Sequence, residues 1–309
     1  MKRLVSYAIA GALVLGATNA SAYCRTMACS GGDCPHDERG CPTSGAVAVW
    51  AQPMPLTFRF HRRGTALLIN EEARAAVRAA FLRWTDVVCA GGRTSLRFVE
   101  GEDLLEDKPL TDDAHAPRST SPFGVYFRDT GWPHAAQNGD GVLALTTLDV
   151  GVETGRITYA DIEINTGSQP LTTSELVAGQ DLQTVMTHEV GHYIGLAHSA
   201  VANSIMNPGL CDSGQRCQVD KVAARRLGDD DLAAVCGLYP PGARAPVVSP
   251  SEDGASEGCA SSRVPTHYRA TNAFAALALL LAVRRVRTAR RAGAQRGPDS
   301  TSTETTALR

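Results

Sequence analysis

Three histidines, at positions 188, 192 and 198, constrain the fold of this 309-residue chain more than any other feature. His188 and His192 are four residues apart, so on a helix they project from the same face. His198 lies ten residues beyond His188, and a straight helix would carry it roughly 15 Å further along the axis. The three side chains therefore meet only if the chain leaves the helix and turns back, and Gly195 suits that turn because glycine tolerates positive φ. The spacing predicts a long helix, over about residues 174–195, that ends in a sharp turn.

The residue types in this segment are those of a catalytic zinc site. Three neutral imidazoles can hold one Zn²⁺ and leave a fourth coordination position open for water. Glu189 is predicted to stay off the metal, to accept a proton from the attacking water and to return it to the leaving amine. The five-position pattern, with Gly195 included, is expected by chance in roughly a few in a hundred thousand chains of this length. The alternatives are a metal-free cluster of hydrogen-bonded histidines and a zinc-bound domain without hydrolytic activity.

Met206, eight residues beyond His198, is predicted to pack beneath the three histidines. A methionine in a turn is otherwise an ordinary core residue. Together these motifs resemble the metzincin clan of metallopeptidases, whose pattern is HExxHxxGxxH followed by a Met-containing turn. Ser199 and the segment Ser204–Pro208 look most like the matrixin branch, although Asn207 stands where that branch usually has a tyrosine.

The resemblance covers about residues 46–240 and implies how a substrate would be held. It implies that the stretch beginning at Gly141 is an edge strand along which an extended peptide lies. Leu143, Ala144 and Leu145 would then supply main-chain hydrogen bonds to that peptide.

Matrixins commonly carry a second, structural zinc, which histidines bind ahead of the catalytic helix. The matching stretch here, residues 157–165, contains no histidine, and His115 and His134 are poor substitutes. One catalytic zinc is therefore expected. Calcium at Asp161 or at nearby carboxylates is a second candidate ion, although such residues more often cap or solvate a strand edge.

Hydrophobic patterning predicts alternating strands and helices around one core. The predicted strands are residues 46–51, 56–60, 95–100, 123–128, 142–148 and 157–165, and the predicted helices are 71–88, capped by Asn70, 174–195 and 229–238. This order predicts an α/β sandwich with one mixed sheet. The resemblance implies a metzincin-like α/β (α+β) fold. It would have one twisted, mixed, five-stranded sheet with an antiparallel edge strand, two long helices including the zinc-binding active-site helix, and a short C-terminal helix.

Both ends of the chain have the features of targeting segments. Residues 1–22 contain two basic residues, an apolar run and a small-residue site, which predicts a secretory signal peptide cleaved after Ala22. Residues 270–291 combine an apolar run with arginines and are similar to the bacterial C-terminal sorting tails called MYXO-CTERM. That similarity implies export, with anchoring or processing near Cys259. The alternatives are a short N-terminal membrane anchor and an amphipathic or buried C-terminal helix.

Between these ends we expect three regions. Residues 23–44 form a Cys-rich N-terminal segment, residues 45–240 a catalytic domain, and residues 241–269 a disordered linker. A disordered tail, residues 292–309, is expected after the sorting segment.

Disulfides are expected among the nine cysteines, because an exported chain meets an oxidising environment, and the eight that precede Cys259 are enough for four bridges. Cys211 and Cys217 are the pair predicted from proximity, and the other pairings stay open. A zinc ribbon made by the first four cysteines is an alternative, as is an inhibitory thiolate from Cys34 or Cys41.

The formal net charge of -2 gives no reason to expect nucleic acid as a partner. The resemblance implies a zinc-dependent endopeptidase that acts as a monomer on extracellular proteins and peptides. We expect the chain to be secreted or held at the cell surface, with the C-terminal segment as a candidate membrane contact. The alternatives are a surface adhesion or binding module with a vestigial zinc site and a dedicated processing protease with one protein target.

Overall fold

The computed structural model describes eight stretches of the chain. They are residues 23–30, 34–50, 54–107, 123–134, 141–168, 170–211, 220–242 and, for the backbone, 301–308. The chain divides into two compact units, residues 1–246 with 299–309, and residues 247–298. The second unit, the predicted signal peptide and the predicted sorting segment lie outside the described residues. No helix in the described stretches is long and apolar enough to cross a membrane.

The described residues contain four helices and thirteen strands. The helices are α1 (Asn70–Thr85), α2 (Leu182–Tyr193), α3 (Lys221–Ala224) and α4 (Asp229–Leu238). The strands are β1 (Met27–Ala28), β2 (Ala46–Val47), β3 (Val49–Trp50), β4 (Leu56–Phe60), β5 (Val88–Cys89), β6 (Gly92–Arg93), β7 (Phe98–Glu100), β8 (Gly124–Phe127), β9 (Ala144–Gly151), β10 (Arg156–Ile164), β11 (Leu171–Thr172), β12 (Gln180–Asp181) and β13 (Thr301–Leu308).

The main sheet has β13, β9, β10, β8, β4 and β7 side by side in that order, with β3 paired to the start of β10. The strands from β10 to β7 are parallel, β9 is antiparallel to β10, and β13 is antiparallel to β9. The predicted mixed α/β sheet is therefore confirmed. Within the described stretches it has seven strands, where the resemblance implied five. The count differs for two reasons. The strand predicted over 46–51 is divided into β2, which pairs with β1, and β3, which pairs with β10. In addition, β13 pairs with the outer side of β9.

An aromatic core joins α1, α2 and the sheet. Phe81 of α1 stacks on Phe58 of β4, with ring centroids 4.1 Å apart. The indole N–H of Trp84 donates to the carbonyl of Thr187 at 2.9 Å, which ties α1 to α2 inside the core. The apolar stripe that predicts α1 from the sequence therefore also positions α2.

α2 begins at Leu182, so the predicted start near residue 174 is wrong. Gly179 has φ +130, a conformation that interrupts a helix. Asp181 then occupies the N-cap position, where its carboxylate accepts a hydrogen bond from the N–H of Thr184 at 2.9 Å.

α1 also differs from its prediction at both ends. Ile69, and not Asn70, is the N-cap residue, while the side-chain oxygen of Asn70 lies 3.4 Å from the backbone nitrogen of Thr65. The helix ends at Thr85, because Val88 turns into a small hairpin formed by β5 and β6.

β9 contains Ala144 and Leu145 of the predicted edge strand, and Leu143 lies immediately before it. The outer side of β9 is paired along its whole length with β13, so that Leu308 lies opposite Ala144 and Thr301 lies opposite Gly151. Residues 301–308 are thus a strand and not part of a disordered tail. The segment is rich in threonine, which is β-branched and suits strands, but it lacks the apolar alternation on which the sequence-based assignment relied.

Three disulfides lie in the described residues, and they are Cys24–Cys41, Cys29–Cys34 and Cys89–Cys236. The first two tie the N-terminal segment together, as predicted. They contradict both the zinc ribbon and an inhibitory thiolate from Cys34 or Cys41, because these sulfurs are already bonded. Cys211 is also disulfide-bonded, but Cys217 lies outside the described residues, so that pairing stays a prediction.

Candidate metal centre

α2 places His188 and His192 on one face, with ring centroids 4.7 Å apart, as their four-residue spacing predicts. Both side chains, and that of Glu189 between them, have no exposed surface. These three side chains therefore lie in the interior of the fold, whereas His198 is partly exposed.

The direction of α2 is set at its first turn. The buried carboxylate of Asp181 caps the helix and is held from the other side by Arg225. The guanidinium donates Nε to Oδ2 at 2.9 Å and Nη2 to Oδ1 at 2.7 Å. This two-point contact fixes the N-terminus of α2, and with it the direction of the histidine face.

The turn after α2 occurs at Gly195, as the sequence predicts. Gly195 has φ +94, and its N–H donates to the carbonyl of His192 at 2.8 Å. A Cβ at this position would lie 2.2 Å from the carbonyl oxygen of Ala48, so only glycine fits. The turn brings the ring of His198 to 5.2 Å from that of His188 and 4.9 Å from that of His192, between centroids.

The three imidazoles converge on one point. One ring nitrogen from each histidine lies within 4.8 Å of the others, and the Nε2 atoms of His188 and His192 are 3.0 Å apart. The Nδ1 of His188 lies 2.7 Å from the carbonyl oxygen of Ile205, and the Nδ1 of His192 lies 2.8 Å from that of Leu196. Because a carbonyl only accepts, both Nδ1 atoms carry the proton and both Nε2 lone pairs face the common centre.

Burial keeps the two helical imidazoles neutral. It lowers the pKa of His188 to about 3, with His198 as a further cause. Burial, and then the neighbouring histidines, also lower the pKa of His192. Neutral imidazoles with lone pairs directed at each other repel unless a cation lies between them, and three such donors fit Zn²⁺.

Glu189 has a partner that sequence reasoning missed. The hydroxyl of Thr146, on β9, lies 2.5 Å from Oε2 of Glu189 and 3.1 Å from the Glu189 carbonyl oxygen. Its separation from Glu189 in the chain left no local signal by which the sequence could identify it. Thr146 thus links the strand predicted to bind substrate to the predicted general base.

Met206 is buried against Gly191 of α2, one residue before His192. A Cβ added at Gly191 would lie 2.1 Å from the sulfur of Met206, so the glycine makes room for the methionine. The Met206 carbonyl accepts a hydrogen bond from the N–H of Ser199 at 2.9 Å. The methionine turn and the histidine turn are therefore joined through their backbones.

Asp231 of α4 supports the same turn. Its buried carboxylate accepts hydrogen bonds from the Ser204 hydroxyl at 2.5 Å and from the N–H of Ile205 at 2.7 Å. Ile205 is also the residue whose carbonyl orients His188. The sequence identifies Asp231 only as part of an acidic helix start, because its contact with the turn is a tertiary one.

Within the described ranges, the three histidines are the only group of three or more His, Cys, Asp or Glu residues that can hold a metal. His134 contacts Glu163 at 2.8 Å through Nε2, and Arg128 already pairs with that carboxylate at 2.7 Å. Asp161, the candidate calcium ligand, is fully buried and accepts a hydrogen bond from a tyrosine hydroxyl. His115 lies outside the described residues.

The chain is similar to one family model and to several known proteins. A family model described as matrixin matches residues 121–240. The chain is 31% identical over 200 residues to metalloendoproteinase 1-MMP of Arabidopsis thaliana, which is 63% of this chain and 46% of that protein. Identity to metalloendoproteinase 4-MMP of the same plant is 27% over 188 residues, or 60% of this chain and 46% of that protein. For metalloendoproteinase 1 of Glycine max it is 24% over 175 residues, or 55% and 47%. The chain thus spans less than half the length of these relatives.

Proposed function

We propose that residues 121–240, which match the matrixin family model, form a matrixin-like metzincin domain and that the chain is a zinc-dependent endopeptidase. His188, His192 and His198 would hold one zinc ion, and Glu189 would act as general base and acid. The observation that carries this proposal is the convergence of three imidazole nitrogens within 4.8 Å, on a helix that also carries Glu189.

The proposed mechanism assigns each side chain a separate task. Zn²⁺ held by His188, His192 and His198 would supply a Lewis acid that polarises the scissile carbonyl and makes the attacking water more acidic. Glu189 accepts a proton as that water attacks the carbonyl carbon, and it gives the proton to the amine nitrogen as the C–N bond breaks. Thr146 holds the Glu189 carboxylate in one orientation, because its hydroxyl lies 2.5 Å from Oε2.

We expect an extended peptide to lie along β9, with main-chain contacts from Leu143, Ala144 and Leu145. β13 now occupies most of that edge in the antiparallel direction, so substrate would replace it there. The disulfides support an extracellular setting, because such bonds persist in oxidising compartments. We therefore expect a monomeric enzyme whose substrates are extracellular proteins.

The test is the Glu189→Ala variant of the full chain, compared with Glu153→Ala in an exposed turn. Removal of a general base typically lowers the rate by about 10²–10⁴-fold. We expect Glu189→Ala to lose casein cleavage by that factor while its zinc content, measured by mass spectrometry, equals that of the wild type. Glu153→Ala should match the wild type in both measurements.

Two other outcomes would contradict the proposal. Wild-type cleavage rates in Glu189→Ala would remove Glu189 from the chemistry. A wild-type protein that binds zinc but cleaves neither casein nor a peptide library would favour a binding module instead. Loss of wild-type activity on addition of a zinc chelator, and its return with Zn²⁺, is the expected control.

A further inference from the structure

An N-terminal segment, residues 24–26, lies against the turn between the second and third histidines. The N–H of Thr26 donates to the carbonyl of Gly195 at 2.9 Å. In return, the N–H of Ala197 donates to the carbonyl of Cys24 at 3.1 Å. The residues between them pair as an antiparallel bridge, so all of residues 24–26 run alongside the turn.

The turn residues that this segment contacts are those that direct two of the imidazoles. Leu196 forms the bridge with Arg25, and the Leu196 carbonyl lies 2.8 Å from Nδ1 of His192. Ala197 directly precedes His198 in the chain. A displacement of the turn would therefore move the donors of both His192 and His198 away from His188.

The same segment also contacts the residues on the other side of the turn. The carbonyl of Thr26 accepts a hydrogen bond from the N–H of Ala48 at 2.9 Å. The carbonyl of Ala48 in turn packs where a side chain at Gly195 would lie. Thr26 is buried, so this contact belongs to the interior and not to a surface loop.

A disulfide anchors residues 24–26. Cys24 is bonded to Cys41, and both are buried. Asp37 fixes the position of Cys41, because Asp37 Oδ1 accepts the N–H of Cys41 at 2.9 Å and the Asp37 N–H donates to the Cys41 carbonyl at 2.9 Å. The three main-chain hydrogen bonds of residues 24–26 do not by themselves offset the entropy of ordering three residues, so the disulfide contributes to holding them on the turn.

We propose that residues 24–26, anchored by the Cys24–Cys41 disulfide, are positioning residues for the metal centre. They hold the Gly195 turn in the form that lets His192 and His198 meet His188. The proposal rests on the zinc site of the proposed function. It gives the Cys-rich segment a supporting role at the site, in place of the inhibitory one considered from the sequence.

The experiment removes one disulfide at a time from the full chain. C24S/C41S is the test variant, C29S/C34S removes the neighbouring bridge, and C89S/C236S removes a bridge between β5 and α4. Zinc affinity is measured by competition with a chelator, the ligand geometry by the visible spectrum of the Co²⁺-loaded protein, and global stability by the melting temperature.

We expect C24S/C41S to bind zinc about 10–100-fold more weakly, the loss typical when groups that orient metal ligands are removed. Its Co²⁺ spectrum should change, and the amide of Ala197 should exchange its hydrogen faster. C89S/C236S should melt at a lower temperature with unchanged zinc affinity and spectrum, which separates positioning from stability. C29S/C34S should keep the wild-type affinity and spectrum.

Wild-type zinc affinity and a wild-type Co²⁺ spectrum in C24S/C41S would overturn the inference and leave the proposed peptidase function intact. A wild-type protein that binds no zinc would instead contradict the proposed function. If C24S/C41S fails to unfold cooperatively, the positioning role is tested with Thr26→Pro, by the same measurements of zinc affinity, Co²⁺ spectrum and melting temperature. This substitution removes the N–H that donates to the Gly195 carbonyl and keeps every cysteine. An unchanged affinity in Thr26→Pro would equally reject the positioning role.

Discussion

At the scale of single residues, Glu189 depends on one hydroxyl from a distant strand. Thr146 lies 2.5 Å from its carboxylate in a fully buried setting, where a hydrogen bond to a charged group is stronger than in water. The orientation of the proposed base is thus controlled by the same strand that we expect to carry substrate. A small displacement of β9 would therefore change the position of the Glu189 carboxylate relative to the attacking water.

Thr146→Val keeps the shape of the side chain and removes the hydroxyl. A hydrogen bond to a charged group contributes about 1.5–3 kcal/mol, and each 1.36 kcal/mol corresponds to about tenfold in rate. We expect kcat to fall by about tenfold or more with zinc content unchanged. Thr147→Val, on the opposite face of the strand, is the matched control, and equal kcat values in the two variants would count against the role of Thr146.

At the scale of elements, the first turn of α2 is held by a contact with Arg225, the residue directly after α3. Asp181, the N-cap residue of α2, is fully buried. Its carboxylate accepts two hydrogen bonds from Arg225, in addition to those it accepts from the first turn of α2. Removal of the arginine would leave a buried carboxylate paired only with groups of its own helix. The N-terminus of the site helix is therefore stabilised from a part of the chain that lies well beyond the histidines.

Arg225→Met removes this charge and keeps an apolar stem. We expect a loss of about 2 kcal/mol in the free energy of unfolding, below the range for fully buried pairs because Arg225 is partly exposed. For a chain of this size that corresponds to a drop in melting temperature of roughly 4–8 °C. Arg226→Met, at the exposed neighbouring position, should change the melting temperature little. A similar drop in both variants would show that Asp181 does not depend on Arg225.

The sequence predicts the features of the site that depend on local geometry and does not predict those that depend on tertiary contacts. The face shared by His188 and His192 and the turn at Gly195 are local consequences of spacing and of glycine geometry, so the sequence predicts them. The start of α2 differs from its prediction because Gly179 interrupts the helix and because Arg225, a tertiary partner, stabilises the Asp181 cap. The contacts of Thr146 and of residues 24–26 with the site are also tertiary, so the sequence does not predict them.

At the scale of the whole molecule, β13 lies on the edge that the proposed function needs. It pairs with β9 from Ala144 to Gly151, which includes the position of Thr146. Under the proposed function, a peptide that adds to β9 would first have to displace this strand, so the fraction of molecules with a free edge would limit the apparent affinity for substrate. β13 would then compete with substrate for the same edge.

A chain that ends at residue 298 should therefore cleave peptides with a higher kcat/KM than the full chain, by several-fold. Thr305→Pro in the full chain should act in the same direction, because proline removes an N–H and disfavours a paired strand. A synthetic peptide of residues 299–309 should inhibit the shortened chain. Identical kcat/KM values for the full and shortened chains at equal zinc content would contradict the competition.

The pairing of β13 with β9 has a further consequence for the behaviour of the protein in solution. An open sheet edge is a template for pairing with another molecule, and a strand of the same chain that covers it suppresses such association. Removal of β13 would therefore free the edge of β9 both for a substrate peptide and for pairing with another molecule. At high concentration, shortened molecules would pair with one another through the open edge of β9. Their activity per molecule would therefore fall as their concentration rises, and dilution would restore it.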